Sequence, residues 1–176
     1  MNDDDLLARA RLIRLIIFDV DGVLTDGSLF YGDGGEEYKA FNSRDGHGIK
    51  MLRATGVEAA ILTGRTSQVV AHRARNLGIS RIIQGSEDKL HAYTILLAET
   101  GLRPEETAFM GDDVVDLPVM RRCGLAVTVP EAPEAVRLRA HMVTMAGGGR
   151  GAAREACEHI MRAQGTWAAQ LALYDR

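Results

Sequence analysis

Short apolar runs that end in a carboxylate, a hydroxyl or a glycine alternate along this chain with longer stretches of helical period. The run from Ile13 to Phe18 reads as a buried, central parallel strand, because a strand covered on both faces needs near-continuous apolar residues. Val57–Leu62, Thr107–Met110 and Leu125–Val129 repeat the pattern. Amphipathic spacing between them predicts helices over Gly46–Thr55, Ser67–Asn76, Glu87–Thr100 and Val114–Arg122. Pro130 and Pro133 announce another helix, and a last one over Gly151–Gln164 precedes a short tail to Tyr174. The alternation is interrupted once, where aromatic-bearing segments Gly27–Tyr31 and Glu36–Phe41 flank the glycine-rich turn Gly32–Gly35 and predict a β-hairpin. Strands alternating with helices specify an α/β fold with a doubly wound parallel sheet. The length of 176 residues suits one domain over 1–176, with the hairpin inserted at about 27–41 and the C-terminal helix and tail at about 147–176.

Composition narrows the function classes. A hydrophobic content of 46% with no long apolar segment points to a soluble protein, and the net charge of −3 offers no basic footprint for nucleic acid or a membrane. The acidic start at Asp3, Asp4 and Asp5 lacks the basic flank and apolar core of a signal peptide, so cytoplasmic residence is expected. Cys123 and Cys157 form neither a zinc pattern nor a disulfide framework and are expected to be reduced thiols. The expected partners are small molecules and further copies of the chain.

The chemistry sits at the strand ends, where ligands collect in open α/β sheets. The first strand delivers Asp19 and Asp21, the second Thr63, Gly64 and Arg65, and the third Gly111, Asp112 and Asp113 with Asp116 completing the block. Lys89 opens a helix between them in sequence. Alone, two aspartates spaced one residue apart are most often a polar strand cap. Together, these groups match the needs of phosphoryl transfer: a nucleophile, neutralisation of a dianion and a proton for the departing oxygen. Asp19 can attack phosphorus directly. Two anions repel, so a divalent cation must lie between Asp19 and the phosphoryl group, and Mg²⁺ prefers such oxygen ligands. Asp19 and Asp112 are expected to hold it, with the backbone carbonyl of Val20 or Asp21 as a third ligand. Asp21 is left free as acid and then base. Thr63, Gly64 and Lys89 supply a hydroxyl, N–H groups and a positive charge for phosphate binding, and Asp116 or Asp113 positions Lys89 or a metal-bound water.

In their order, the Asp-x-Asp-Gly, Leu-Thr-Gly-Arg, Lys and Gly-Asp-Asp-x-x-Asp blocks resemble the four motifs of haloacid dehalogenase superfamily phosphatases. Phe41–Ile49, containing Arg44-Asp45-Gly46-His47-Gly48, and Gly148–Glu155 more narrowly resemble the 3-deoxy-D-manno-octulosonate 8-phosphate (KDO 8-phosphate) phosphatases, a similarity running from about Leu15 to Gly165. The resemblance implies Mg²⁺ as cofactor, Asp19 as nucleophile, Asp21 as acid/base, and a homotetramer. It also implies a KDO 8-phosphate substrate on the way to lipopolysaccharide. Relatives that close over their own sites carry a large cap domain. Here only a hairpin and one helix fit between Asp26 and Thr63, so the chain is expected to be capless and its site covered by a neighbouring subunit.

Other readings stay open. Phosphatases for nine-carbon sialic-acid-type 9-phosphates resemble the chain in all four motifs but tend to carry Glu where Arg65 stands. A receiver-like phospho-acceptor shares the acidic site, Thr and Lys, yet has no carboxylate two residues beyond its phosphorylated Asp. Arg65, Arg73, Arg150 and Arg154 are candidate substrate-binding cations, with a surface salt bridge as the alternative for Arg65. The segment Gly147–Gly151 is expected to be flexible enough to close over a ligand. Glu36 and Glu37 read as a solvated turn, His47 as a surface residue at a helix start, and Met110, Met120, Met142 and Met145 as core filler.

Overall fold

The computed structural model describes residues 3–175. Its centre is β1 (Leu15–Phe18), all four residues of which are buried. Arg14 stands outside this strand and pairs at the surface with Glu106, so the strand is shorter than the apolar run suggested. β1 pairs in parallel with β4 (Glu58–Leu62) on one side and β6 (Thr107–Met110) on the other. β5 (Arg81–Ile83) continues the first side, and β7 (Leu125–Thr128) and β8 (Met142–Val143) continue the second, giving the order β5-β4-β1-β6-β7-β8. The chain thus builds outward one way from β1 and returns across it to build the other way. That reversal leaves a crevice beyond the carboxyl ends of β1, β4 and β6, the position where such sheets hold ligands.

The helices α2 (Ser43–Ala54), α3 (Gln68–Leu77), α4 (Lys89–Thr100) and α7 (Ala152–Ala163) lie where amphipathic spacing placed them, within a few residues. α6 (Glu134–Arg137) follows Pro133 as expected. The hairpin forms as β2 (Phe30–Tyr31) against β3 (Glu37–Tyr38). Four elements were not anticipated: α1 (Asp3–Arg11), β5, β8 and α8 (Trp167–Ala172), the last in place of the expected tail. β5 and β8 are too short to carry a legible period, and both lie at sheet edges.

The helix expected over Val114–Arg122 is broken into a 3₁₀ turn at Val114–Asp116 and a single turn α5 (Leu117–Met120). Its first turn is reshaped because Asp116 sends its carboxylate back to the N–H groups of Asp112 and Asp113. Met145 is 91% exposed, so it is not core filler, whereas Met110 and Met120 are buried as expected.

α2 and α7 pack closely, and the contact is built from the Asp45 and Gly148–Glu155 segments. Gly151 is the N-cap of α7 and brings no side chain to cap it. The cap comes from α2 instead: buried Asp45 accepts the N–H groups of Gly151 at 3.2 Å and Arg154 at 2.8 Å. Gly48 completes the fit, since a Cβ there would meet the Arg154 Cα at 2.9 Å. The same bracket pulls in the preceding loop, where Gly149 donates to the Val23 carbonyl at 2.9 Å. Gly148 and Gly149 lie so close to the backbone of Gly22 and Thr25 that neither has room for a side chain. Gly148 and Gly149 therefore dock the loop against the β1 turn, a use of glycine the expectation of flexibility did not include.

Asp45→Ala is expected to lower stability by about 1–3 kcal/mol, the cost of orphaning two partly buried donors at a helix start. Denaturant titration checks this, and Asp45→Asn, which keeps an acceptor oxygen, is expected to lose less.

Candidate active site

The site is built on the turn that follows β1. The Asp19 N–H donates to the Met110 carbonyl at 2.9 Å, extending the β1–β6 pairing to Asp19. The Val20 carbonyl then accepts the N–H groups of Val23, Leu24 and Thr25 at 3.3, 2.9 and 3.0 Å, which closes the turn tightly. Gly22 adopts φ +85°, and a Cβ on it would overlap the Asp112 carboxylate. Glycine is therefore required twice over, for the backbone and for the approach of Asp112.

Lys89 lies at the floor of the crevice with its side chain 3% exposed, 2.8 Å from Asp19 and 2.6 Å from Asp116. The second oxygen of fully buried Asp116 accepts the N–H groups of Asp112 at 3.0 Å and Asp113 at 3.2 Å. Asp116 thus holds both Lys89 and the loop carrying Asp112, while exposed Asp113 caps Val114. Three carboxylates against one ammonium leave the pocket short of positive charge. Burial, then the neighbouring Asp116, pushes Asp19 up to about 6, although Lys89 opposes the shift. Burial, then Asp19, Asp116 and Asp113, pushes Asp112 up to about 7. Burial works against the Lys89 charge, but Asp19 and Asp116 outweigh it and hold the ammonium above its ordinary range.

That deficit fits a divalent cation. Oxygen atoms of Asp19, Asp112 and Asp116 lie within 4.8 Å of one another, a hard donor set of the kind Mg²⁺ takes. Asp116 is already committed to Lys89 and two N–H groups, so Asp19 and Asp112 are the pair available to hold the ion. The Val20 carbonyl is engaged in the turn, which leaves the Asp21 carbonyl as the backbone candidate.

A cavity of about 430 Å³ opens over these groups, lined by Asp19, Asp21, Thr63, Gly64, Arg65 and Lys89 together with Asp112 and Asp113. Of the strand-end groups read from the sequence, all but Gly111 and Asp116 line it, and Asp116 reaches it through Lys89. Ser86 and Glu87, in the loop before α4, also line it and were not anticipated. Of the four arginines, only Arg65 reaches this cavity. Arg150 pairs with Asp26 at 3.2 Å beside an adjoining cleft of about 310 Å³ that shares Gly27 and Asp112. Arg73 donates to the Asn42 carbonyl at 3.0 Å and lies over Phe41, and Arg154 pairs with Glu158 at 2.5 Å and lies over Trp167. Those two brace helices and do not line the cavity of their own chain.

Asp21 is turned toward the hairpin. Its carboxylate contacts Lys39, whose side chain is 1% exposed, and lies 3.6 Å from Arg65. Glu37 is 3.3 Å from Lys39 and 3.4 Å from Arg65, so it belongs to this cluster and is not a solvated turn residue. Lys39 escaped sequence reasoning. Its only signal is that Glu37 and Lys39, two apart on an extended segment, share a side.

The raised carboxyls carry a pH dependence. A carboxylate whose folded pKa lies above its unfolded value of 3.8 makes the metal-free protein bind protons more tightly when folded. Stability should therefore fall as pH rises from about 4 through about 7, and Mg²⁺ should raise the melting temperature more at pH 8 than at pH 5. Asp112→Asn is expected to flatten the slope, raise the metal-free melting temperature at pH 8 and abolish the response to Mg²⁺; melting curves with and without chelator read all three.

The haloacid dehalogenase-like hydrolase family profile matches residues 34–124. A 3-deoxy-D-manno-octulosonate 8-phosphate phosphatase, KdsC, of Yersinia pestis is 49% identical over 161 residues, covering 92% of this chain and 86% of the relative. A crystal structure of a probable YrbI family phosphatase from Pseudomonas syringae pv. phaseolica 1448a superposes with a TM-score of 0.97 at 50% identity over 99% of both chains. The Moraxella catarrhalis KDO 8-phosphate phosphatase, in complex with magnesium, phosphate and KDO, gives a TM-score of 0.97 at 40% identity over 98% of this chain and 99% of its own. With the motif residues gathered at the carboxyl ends of the central strands and similarity of this extent, the chain belongs to the haloacid dehalogenase-like hydrolase family.

Proposed function

We propose that the chain is a Mg²⁺-dependent phosphomonoesterase that converts KDO 8-phosphate to KDO and phosphate, a step in lipopolysaccharide precursor synthesis. The observation that carries this reading is Lys89 clamped between Asp19 and Asp116, with Asp112 beside them and Asp21 two residues past Asp19 at the same cavity. The KdsC relative and the Moraxella complex support the substrate.

Asp19 attacks phosphorus with a carboxylate oxygen, forming an acyl phosphate as the bond from phosphorus to the sugar oxygen breaks. Asp21, protonated, gives its proton to that departing oxygen. Asp21, now ionised, takes a proton from water, whose oxygen attacks phosphorus and releases phosphate as the bond to Asp19 breaks. Asp19 and Asp112, with the Asp21 carbonyl, would hold Mg²⁺, which would supply neutralising charge for the phosphoryl group. Lys89 and the Thr63–Gly64 segment bind the phosphoryl oxygens, and Asp116 keeps Lys89 in place. Arg65 lies at the rim, where a guanidinium can pair with a sugar-acid carboxylate, and its presence where the nine-carbon relatives tend to carry Glu favours, by resemblance, the eight-carbon substrate. Asp21 also disfavours a receiver-like phospho-acceptor, because a base beside the acyl phosphate shortens its life.

The same reading includes a homotetramer with shared sites. The cavity is open, and Leu29, Phe30, Tyr31 and Tyr38 of the hairpin are exposed, an apolar surface suited to burial between copies. Arg73 and Arg154, which do not line their own chain's cavity, serve substrate only if presented to another subunit. Cytoplasmic residence belongs to the proposal as well: Cys123 and Cys157 are free and buried, as expected in a reducing compartment. No helix among the described residues is long and apolar enough to cross a membrane.

A panel of sugar-acid phosphates assayed for phosphate release should show KDO 8-phosphate turned over fastest, only with Mg²⁺, and not at all by Asp19→Asn. Equal turnover of a nine-carbon 9-phosphate, or full activity after exhaustive chelation, would overturn the assignment. Mixed tetramers reassembled from Asp19→Asn and Arg73→Ala subunits should be more active than either parent; a fully active monomer by light scattering rules the shared site out.

A further inference from the structure

The hairpin contributes more than exposed aromatics. Just past β3 it sends Lys39 inward, and that side chain is 1% exposed, among the most secluded charges described. The anions in reach of it are Asp21 in direct contact and Glu37 at 3.3 Å. Arg65, from the loop after β4, closes the ring by approaching Asp21 to 3.6 Å and Glu37 to 3.4 Å. Two carboxylates and two cations thus alternate around a ring that joins the β1 turn, the hairpin and the Thr63–Arg65 loop. A buried ammonium is costly to maintain without a full set of partners, so this arrangement holds Asp21 in one orientation.

We propose that Lys39 is a positioning residue for Asp21, which makes the hairpin part of the proton-transfer apparatus. This inference rests on the phosphatase reading above. Asp21 has two competing partners, the cation site beside Asp19 and Asp112 and the hairpin side. Without a partner on the hairpin side, the Asp21 carboxylate would be free to turn toward a cation held by Asp19 and Asp112. Lys39 draws it the other way. From that place Asp21 delivers its proton to the leaving oxygen and recovers one from water, with the atom balance already given, while Lys39 touches neither substrate nor the reacting atoms.

The claim separates from a merely structural role through leaving-group dependence. A sugar alkoxide needs a proton as it departs, whereas a nitrophenolate does not. In single-turnover experiments Lys39→Met is expected to slow leaving-group release from a sugar phosphate by ~10-fold or more, bounded above by the ~10²–10⁴-fold that general acid catalysis supplies. Release from p-nitrophenyl phosphate should change less than about threefold by the same reasoning, and KM should change little. Lys39→Arg, which keeps the charge, should recover most of the loss. The deciding measurement is a double-mutant cycle: with Asp21→Asn already in place, Lys39→Met should no longer alter the sugar-to-aryl ratio. An equal slowing of both substrates, or an undiminished effect in the Asp21→Asn background, overturns the proposal. If Lys39→Met fails to fold by circular dichroism, Lys39→Gln and Lys39→Arg carry the same comparison, and a ratio unchanged in Lys39→Gln overturns it equally. The ratio is formed on any alkyl phosphate that the parent turns over. A wrong eight-carbon assignment therefore appears as the parent's substrate preference, and a protein that is no phosphatase appears as an inactive parent.

Discussion

Burying an ammonium at the end of a parallel sheet is the constraint around which this molecule is arranged. Lys89 cannot keep its charge at that depth without carboxylates on both sides, and Asp19 and Asp116 supply them from two different strand ends. Each partner then imposes its own requirement. Asp19 must follow β1 directly, and Asp116 must fold back to the N–H groups of Asp112 and Asp113, which breaks the helix that amphipathic spacing alone would have drawn. The surplus of negative charge that results is relieved by protons on Asp19 and Asp112 at low pH and by a cation at higher pH. Folding and metal binding are thus linked through the same few carboxyls.

Most of this was legible in sequence because the chemistry lies at the ends of strands whose apolar runs are unmistakable. β1, β4, β6 and β7 are fully or nearly fully buried, so their residues have little choice, and their ends place Asp19, Thr63 and Asp112 without further information. What escaped was settled by contacts distant in sequence. β5 and β8 exist as strands because a parallel neighbour is available to pair with them, a fact no short window carries. What Arg73 and Arg154 touch within their own chain was not legible for a related reason. An arginine reads alike whether it faces a ligand or lies over Phe41 or Trp167, and only packing tells the two apart.

The glycine-rich segment before α7 illustrates the same limit from the other direction. Read alone, Gly147–Gly151 suggests mobility, since glycine is the most permissive residue. In the fold the absence of side chains serves close approach: Gly148 and Gly149 lie against the turn that carries Asp19 and Asp21, and the Gly149 N–H is tied to Val23. Asp45 anchors the other end by capping α7 across more than a hundred residues of sequence. The segments around Asp45 and around Gly148–Glu155 are therefore halves of one brace behind the turn that follows β1.

A site without a cap must solve two problems that a capped relative solves with one domain, namely holding the acid/base group still and keeping bulk water from the reacting centre. The hairpin addresses the first within a single chain, because Lys39 reaches Asp21 from beneath while Arg65 closes the ring at the rim. It leaves the second unsolved, since the cavity stays open and the hairpin's outer face remains apolar and bare. Both faces belong to one short element, so whatever covers the outer face also steadies the inner one. Association of subunits through Phe30, Tyr31 and Tyr38 would restrain the segment that orients Asp21, coupling assembly to proton transfer without any moving lid.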